Sequence, residues 1–300
     1  MNAFLFYNSA TGGGAVGEII GGGEFKTTHS YPEGAFARGW EIVKPSLRID
    51  AFRTTGVAFF YNPSTGAAAT GTVINGEFVT ESTKPAGYLG SSWTHILPRT
   101  PRTMLFYRAS TGEGSIVQDD VTVEVYPPGS FAKGWTHLVP IRRGPDLALF
   151  YNAKTGAGAI TQWHYKPGSS VPSIRTIKSY PEGLFSAGTP YPHPSIPTRE
   201  LWSTVTSFDG DKILFYNRLT GAGAIGQVKN EGFVLLEELS FRGGWSHIAG
   251  FAQEDLLFYD TRDGSAAVGF NPTSKVYDPG AFRTGWTQII PLLSEVHQPH

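Results

Sequence analysis

Tryptophan recurs along this chain with a polar side chain two residues after it, and both residue types can bind a ligand. The recurring indoles are Trp40, Trp93, Trp135, Trp202, Trp245 and Trp286. The polar residues that follow five of them are His95, His137, Thr204, His247 and Gln288. An indole can stack on a sugar ring or an apolar ligand, and imidazole and amide groups can bind hydroxyls. The alternative is that the indoles wedge neighbouring elements together and each polar side chain makes one structural hydrogen bond.

Basic and aromatic residues precede four of these tryptophans. The basic residues, two or three positions earlier, are Arg38, Lys133, Arg242 and Arg283. The aromatic residues, four positions earlier, are Phe36, Phe131, Phe241 and Phe282. Arginine can bind carboxylate, phosphate or sugar hydroxyls, and the phenyl rings could extend an aromatic wall. The alternatives are solvated loop charges and core rings. The histidines fall in repeats that are not all neighbours, so we expect no metal and no other cofactor.

These residues belong to a longer repeat that occurs six times. Its most regular part is a Leu-Phe-Tyr-Asn motif followed by Thr-Gly, with the tyrosine at Tyr7, Tyr61, Tyr107, Tyr151, Tyr216 and Tyr259. Asparagine and glycine favour tight turns between strands. A repeat holds four short apolar runs in about 45 residues and shows no helical period, which is typical of a propeller blade.

The chain ends predict how the repeats are arranged. The sequence begins at the second strand of a repeat, near Phe4, and ends just after a first strand that begins at Trp286. The last strand can therefore complete the first sheet and remove an open edge. We predict an all-β, six-bladed β-propeller with four-stranded antiparallel blades in a single domain, 1–300. The expected blades, numbered 1 to 6, are 286–300 with 1–39, 40–92, 93–134, 135–201, 202–244 and 245–285.

Two segments carry a resemblance to a known repeat. Residues 207–217 (SFDGDKILFYN) and 250–260 (GFAQEDLLFYD) resemble the integrin-type, FG-GAP or VCBS-like, propeller repeat. In that family a calcium loop lies between strands one and two, but here the corresponding Asp209-Gly-Asp211 is short and 142–146 is basic. The chain is also similar in repeat type and size to fungal and bacterial propeller lectins, which implies carbohydrate binding.

Composition excludes several function classes. The chain has no cysteine, so disulfides and thiolate metal sites are excluded. The net charge of −1 gives no broad basic surface for nucleic acid. We found no apolar run of 18 residues and no secretory leader, so we expect no membrane span. The protein could be cytoplasmic, or secreted without a recognisable signal.

The sequence leaves more than one function open. The first is a multivalent, lectin-like protein that binds glycans in repeated aromatic and histidine clefts at blade junctions. The alternative is a cofactor-free lyase, cyclase or pericyclase-like enzyme that binds a small apolar molecule in one pocket at the axial mouth, lined by tryptophan and histidine. Features that break the repeat would serve an enzyme: the segment 186–201, with Tyr191 and His193, and loops expected at Trp163 and His164. No catalytic residue is assigned, and an interaction scaffold is a third possibility.

Overall fold

The structure is a computed structural model that describes residues 2–49, 54–141, 146–187, 200–229, 232–250, 256–269 and 273–293. It confirms the predicted fold class, an all-β, six-bladed β-propeller of four-stranded antiparallel blades. The expected residues Tyr191 and His193 lie outside the described residues. No helix in the described ranges is long and apolar enough to cross a bilayer.

Residues 1–93, 100–103 and 246–300 form one compact unit, which contains three blades. Blade 1 holds β1 (Asn2–Tyr7), β2 (Gly14–Ile20) and β3 (Glu24–Tyr31), with a short 3-10 helix at Gly21–Gly23. Blade 2 holds β4 (Ile42–Ile49), β5 (Thr54–Tyr61), β6 (Ala68–Ile74) and β7 (Glu77–Lys84).

The second compact unit comprises residues 94–99 and 104–245, and its three blades are 3, 4 and 5. Blade 3 holds β8 (His95–Thr100), β9 (Thr103–Arg108), β10 (Glu113–Gln118) and β11 (Val121–Tyr126). Blade 4 holds β12 (His137–Ile141), β13 (Leu147–Asn152), β14 (Ala157–Tyr165) and β15 (Pro172–Tyr180). A two-stranded ribbon, β16 (Ser186–Ala187) with β17 (Glu200–Leu201), follows it. Blade 5 holds β18 (Thr204–Phe208), β19 (Lys212–Tyr216), β20 (Ala222–Lys229) and β21 (Gly232–Ser240).

The end of the chain returns to the first unit. Blade 6 holds β22 (His247–Gly250), β23 (Leu256–Tyr259), β24 (Ala266–Gly269) and β25 (Thr273–Tyr277). The last strand, β26 (Gln288–Leu293), then pairs with β1 of blade 1, with Tyr7 opposite Gln288 and Asn2 opposite Leu293. The predicted sharing of one blade by the two chain ends is therefore confirmed.

The second strand of every blade carries a fully buried tyrosine with a satisfied hydroxyl. Tyr259 Oη donates to the backbone oxygen of Arg283 at 2.8 Å and accepts the backbone N–H of Trp286. The same carbonyl bond is made by Tyr7, Tyr61, Tyr107 and Tyr216. The same bond from a tryptophan N–H is made to Tyr7, Tyr107, Tyr151 and Tyr216. Each tyrosine thus holds the loop that leads into the next first strand.

The turn between the second and third strands has the chemistry that its sequence predicts. Asn8 Oδ1 accepts the backbone N–H groups of Ala10 and Thr11, at 3.0 Å each. Gly12 has a φ of +72°, and a Cβ there would collide with the backbone oxygen of Phe36. Glycine is required at this position because the loop that ends at the tryptophan lies directly against the turn.

Two details of the strands differ from expectation. The tryptophans do not begin the first strands: Trp286, for example, precedes β26 by two residues, because its N–H bonds to a tyrosine hydroxyl and not to a strand. Trp163 and His164 lie within β14 and not in a loop. Trp163 is buried in the core between blades 3 and 4, so this tryptophan, which has no counterpart in the other repeats, has a packing role.

Replacing Tyr259 with phenylalanine should destabilise the protein. The change leaves the backbone N–H of Trp286 and the oxygen of Arg283 without the hydroxyl, and unsatisfied buried groups of this kind cost about 1–3 kcal/mol each. We expect a lower urea midpoint with an unchanged m-value. A variant at the exposed Tyr88 provides the control, and equal midpoints for the two variants would contradict the role of the hydroxyl.

Stability should also fall in strong alkali. Burial raises the pKa of Tyr151 and of Tyr259 to about 12, from an ordinary value of 10.0. The folded protein therefore keeps protons that the unfolded chain releases, so this contribution is complete below pH 10 and is lost as the pH rises to about 12. Urea unfolding at several pH values, with tyrosinate absorbance in parallel, measures it. A free energy of unfolding that stays constant from pH 10 to 12 would exclude this titration.

Candidate functional site

A pocket of about 240 Å³ opens in the first unit, where the loop after β25 meets blade 1. Its floor is aromatic, and its rim is polar. The floor is formed by Phe6, Phe25, Phe282 and Trp286. The rim is formed by Thr27, Ser30, Tyr31, Tyr277 and Arg283. A hydrophobic floor with a few convergent polar groups is the usual composition of a small-molecule site.

The aromatic floor is built by interlocked rings. The Phe25 ring lies 4.9 Å from that of Phe282 and 5.5 Å from that of Phe6, in an edge-on arrangement with Phe6. Trp286 adds its ring at 5.8 Å from Phe6. Gly17 permits this packing, because a Cβ there would collide with the Phe25 ring. The rings fix one another, so the floor is preformed.

The polar rim comes from β3 on one side of the pocket. A bulge in the pairing of β2 with β3, between Val16 and Gly17, shifts Thr28 out of the pattern. Thr28 Oγ1 instead donates to the backbone oxygen of Gly76 at 2.7 Å. Thr27 and Ser30 are exposed and line the pocket, and their hydroxyls bond to no other residue in the described ranges. They are available to a ligand.

Arg283 forms the opposite side of the rim. Its guanidinium lies over the indole of Trp286, 5.6 Å from the ring centre. One terminal nitrogen, Nη2, lies 3.1 Å from Oε1 of Glu33. Both side chains are more than half exposed, at 54% and 57%. Stacking on the indole orients the guanidinium plane, while most of its N–H groups remain open to solvent.

The corresponding junction of blades 4 and 5, in the second unit, has the same floor with a different rim. Its rings are Trp202, Phe215, Phe233 and Phe185, with separations of 4.8 to 5.9 Å. The cavity is only about 80 Å³. Leu235 and Leu184 line it at the positions of Thr27 and Ala281. This pocket is therefore smaller and apolar, so the junctions are not equivalent.

The structure places the predicted tryptophans mainly in packing roles. Trp135, Trp202, Trp245 and Trp286 are buried, while Trp40 and Trp93 are half-buried. Trp93 Nε1 donates to the backbone oxygen of Leu89 at 3.0 Å. Only 6% of Trp286 is accessible, so it offers little surface to a ligand. Phe25 and Phe282, which are half-buried, supply more of the accessible aromatic surface.

Two of the predicted histidines, and Gln288, connect neighbouring blades. His95 Nε2 lies 2.9 Å from the backbone oxygen of Thr136, and His247 Nε2 lies 3.1 Å from that of Thr287. Gln288 makes the equivalent bond to Glu41 at 3.1 Å. His137 Nδ1 lies 2.8 Å from Thr136 Oγ1. No histidine contributes to the lining of the 240 Å³ pocket, and the described residues contain no group of three possible metal ligands.

The predicted basic residues divide into two geometries. Arg242 and Arg283 lie three residues before a tryptophan and stack on it, at 4.7 and 5.6 Å. Arg38 and Lys133 lie two residues before a tryptophan and are exposed. Of the four, Arg283 lines the pocket. Sequence reasoning missed Phe25, Thr27 and Ser30, although the recurrence of phenylalanine at the start of the fourth strand (Phe25, Phe78 and Phe233) was a usable signal.

Comparison with known proteins supports the fold but does not assign the chain to a family. No protein-family model matches the chain, and no curated protein matches it either. A candidate 6-phosphogluconolactonase from Bacteroides uniformis has a TM-score of 0.54 at 14% identity, covering 97% of this chain and 99% of that one. One from Bacteroides fragilis has a TM-score of 0.51 at 10% identity, covering 97% of each. A protein of unknown function from Desulfotomaculum acetoxidans has a TM-score of 0.56 at 9% identity, covering 95% and 84%.

Replacing His247 should change stability and leave ligand binding at the pocket intact. His247→Ala removes the bond to the backbone oxygen of Thr287 and should cost about 0.5–1.5 kcal/mol. His247→Gln should cost less, because Gln288 makes the same bond with an amide at the equivalent position. Urea unfolding measures both variants. If alanine and glutamine variants were equally stable, the inter-blade bond would have no energetic role.

Proposed function

We propose that this protein binds carbohydrate, with a single sugar ring held in the pocket between the loop after β25 and blade 1. The observation that carries the proposal is one preformed pocket combining an aromatic floor, two hydroxyls with no hydrogen-bond partner among the described residues and a stacked arginine. A sugar ring has the matching chemistry, because its C–H faces are apolar and its edge carries hydroxyls. The similarity of the sequence in repeat type and size to propeller lectins agrees with this proposal.

The size of the pocket favours one ring over an extended chain. Pockets for drug-sized ligands usually measure about 300–1,000 Å³. The volume of about 240 Å³ lies below that range, and the pocket is open at its rim. A terminal sugar residue could therefore enter while the rest of a glycan stays in solvent.

The polar groups are placed to fix the orientation of the ring. Thr27 and Ser30 can each donate and accept a hydrogen bond, whereas Arg283 only donates. Sugar hydroxyls that bond to these three side chains give up hydrogen bonds to water in exchange. These bonds therefore add more to specificity than to affinity. The apolar contact with Phe25 and Phe282 supplies the favourable burial.

The proposal differs from the expectation that the protein binds several glycans in repeated clefts. The smaller, apolar pocket beside Trp202 has leucines where the larger one has Thr27 and Ala281, so we propose one principal sugar site per chain. The enzyme alternative, a cofactor-free catalyst with histidines around an axial mouth, has less support. Two of the three histidines that it would use, His95 and His247, hold backbone oxygens of neighbouring blades.

Filling the pocket should abolish sugar binding. Thr27→Trp places a bulky ring at the rim without touching the floor. Thr80→Trp is the matched control. Thr80 is exposed and occupies the position in blade 2 that Thr27 occupies in blade 1, directly beside the β-bulge. Isothermal titration with methyl glycosides of mannose, galactose, glucose and fucose, chosen after a glycan array, gives affinity and stoichiometry.

We expect one ligand per chain for the unaltered protein and for Thr80→Trp, and none for Thr27→Trp. Loss of only part of the capacity in either variant would favour several equal clefts. Absence of binding by every sugar, with binding of an apolar ligand instead, would overturn the carbohydrate proposal.

A further inference from the structure

We infer that the Arg283–Glu33 ion pair makes the pocket selective for uncharged sugars that carry two adjacent free hydroxyls. This inference rests on the proposed function and adds the substrate class. The two charges come from different blades: Arg283 from the loop after β25 and Glu33 from the loop after β3. Arg283 lines the pocket, and Glu33 lies beside that lining, with its Oε1 3.1 Å from Nη2 of Arg283.

The pair is open to a ligand. Both side chains are more than half exposed, so the pair adds little to folding, and its groups remain hydrated. Arg283 has five N–H donors, of which one bonds to Glu33 within the described residues. Glu33 has a second carboxylate oxygen with no partner in the described part of the chain. Donors and acceptors therefore lie side by side.

This arrangement matches a pair of neighbouring hydroxyls. Each hydroxyl can accept a hydrogen bond from the guanidinium and donate one to the carboxylate. Hydrogen bonds to charged groups are stronger than those between neutral groups, so the diol gains affinity on both sides. A single hydroxyl has only one donor, so it leaves unused some of the guanidinium and carboxylate groups that a second, adjacent hydroxyl can bond.

The same pair disfavours charged ligands. A sugar carboxylate attracted to Arg283 is brought next to the like charge of Glu33, and an ammonium near Glu33 is brought next to Arg283. In both cases the repulsion offsets part of the attraction, because the opposite member of the pair lies only 3.1 Å from the charge that attracts the ligand. Uncharged sugars meet neither repulsion.

The neighbouring junction in the same unit lacks this device. The residues that correspond to Arg283 and Glu33 at the junction of blades 1 and 2 are Ala37 and Ala86. The aromatic floor is nonetheless repeated there by Phe36, Phe60 and Phe78. The ion pair is therefore a local addition to a repeated scaffold and is not required for the fold.

Titration of four variants with matched sugars tests the inference. The probes are methyl α-D-mannopyranoside, its 2-deoxy analogue and sodium D-glucuronate. The variants are Arg283→Ala, Glu33→Gln and, as controls for an exposed loop charge, Arg38→Ala and Lys133→Ala. We expect the unaltered protein to prefer the intact diol over the deoxy analogue by about tenfold or more. Arg283→Ala should abolish that preference, and both controls should retain it.

Glu33→Gln gives the decisive readout, because it removes a charge with little change of shape. We expect affinity for D-glucuronate to rise at least about tenfold relative to the mannoside. An unchanged ratio, or a preference of the unaltered protein for D-glucuronate, would overturn the inference while sugar binding itself stands. Absence of binding by all the probes and by every glycan of the array would overturn the proposed function as well. If Arg283→Ala fails to fold, the Glu33→Gln ratio alone decides.

Discussion

The bond between a buried tyrosine hydroxyl and the loop that follows its blade determines much of this structure. The hydroxyl of Tyr259 is shared between a carbonyl of the loop and the backbone N–H of Trp286. A buried hydroxyl that lost these partners would be strongly unfavourable. The loop that carries Arg283 and Trp286 is therefore held in a fixed position beside β23, and the tryptophan is directed into the core.

This constraint also decides where a ligand can bind. Because the indole is needed for packing between blades, only 6% of Trp286 is left exposed, and it contributes little surface to the pocket. The accessible aromatic surface comes instead from Phe282, which the same loop carries, and from Phe25 on the next blade. A tyrosine–tryptophan pair that serves the fold thus positions the residues that can serve binding.

The sequence predicted the fold well because the repeat is visible in residues that pack locally. The tyrosine, the turn after it and the tryptophan recur in the same order in each repeat. The first repeat lacks its first strand, and the end of the chain supplies it, as the pairing of β26 with β1 confirms. The site was less predictable. Arg283 and Trp286 were identified. Phe25 recurs in the fourth strand and could have been identified, but Thr27 lies at a position of that strand where the residue type varies, with Leu235 in the other pocket. The role of His247 depends on the carbonyl of Thr287, forty residues away, which no local pattern reveals.

The contrast between the two described pockets explains how a repeated scaffold can carry a specific site. The rings of the floor contact one another, so changing one of them disturbs the core, and both junctions keep the same four positions. The rim residues are exposed and add little to stability, so Thr27 in one pocket and Leu235 in the other are equally compatible with the fold. Specificity can therefore arise at one junction, through Arg283 and the Glu33 paired with it, without any change in the aromatic packing that the two junctions share.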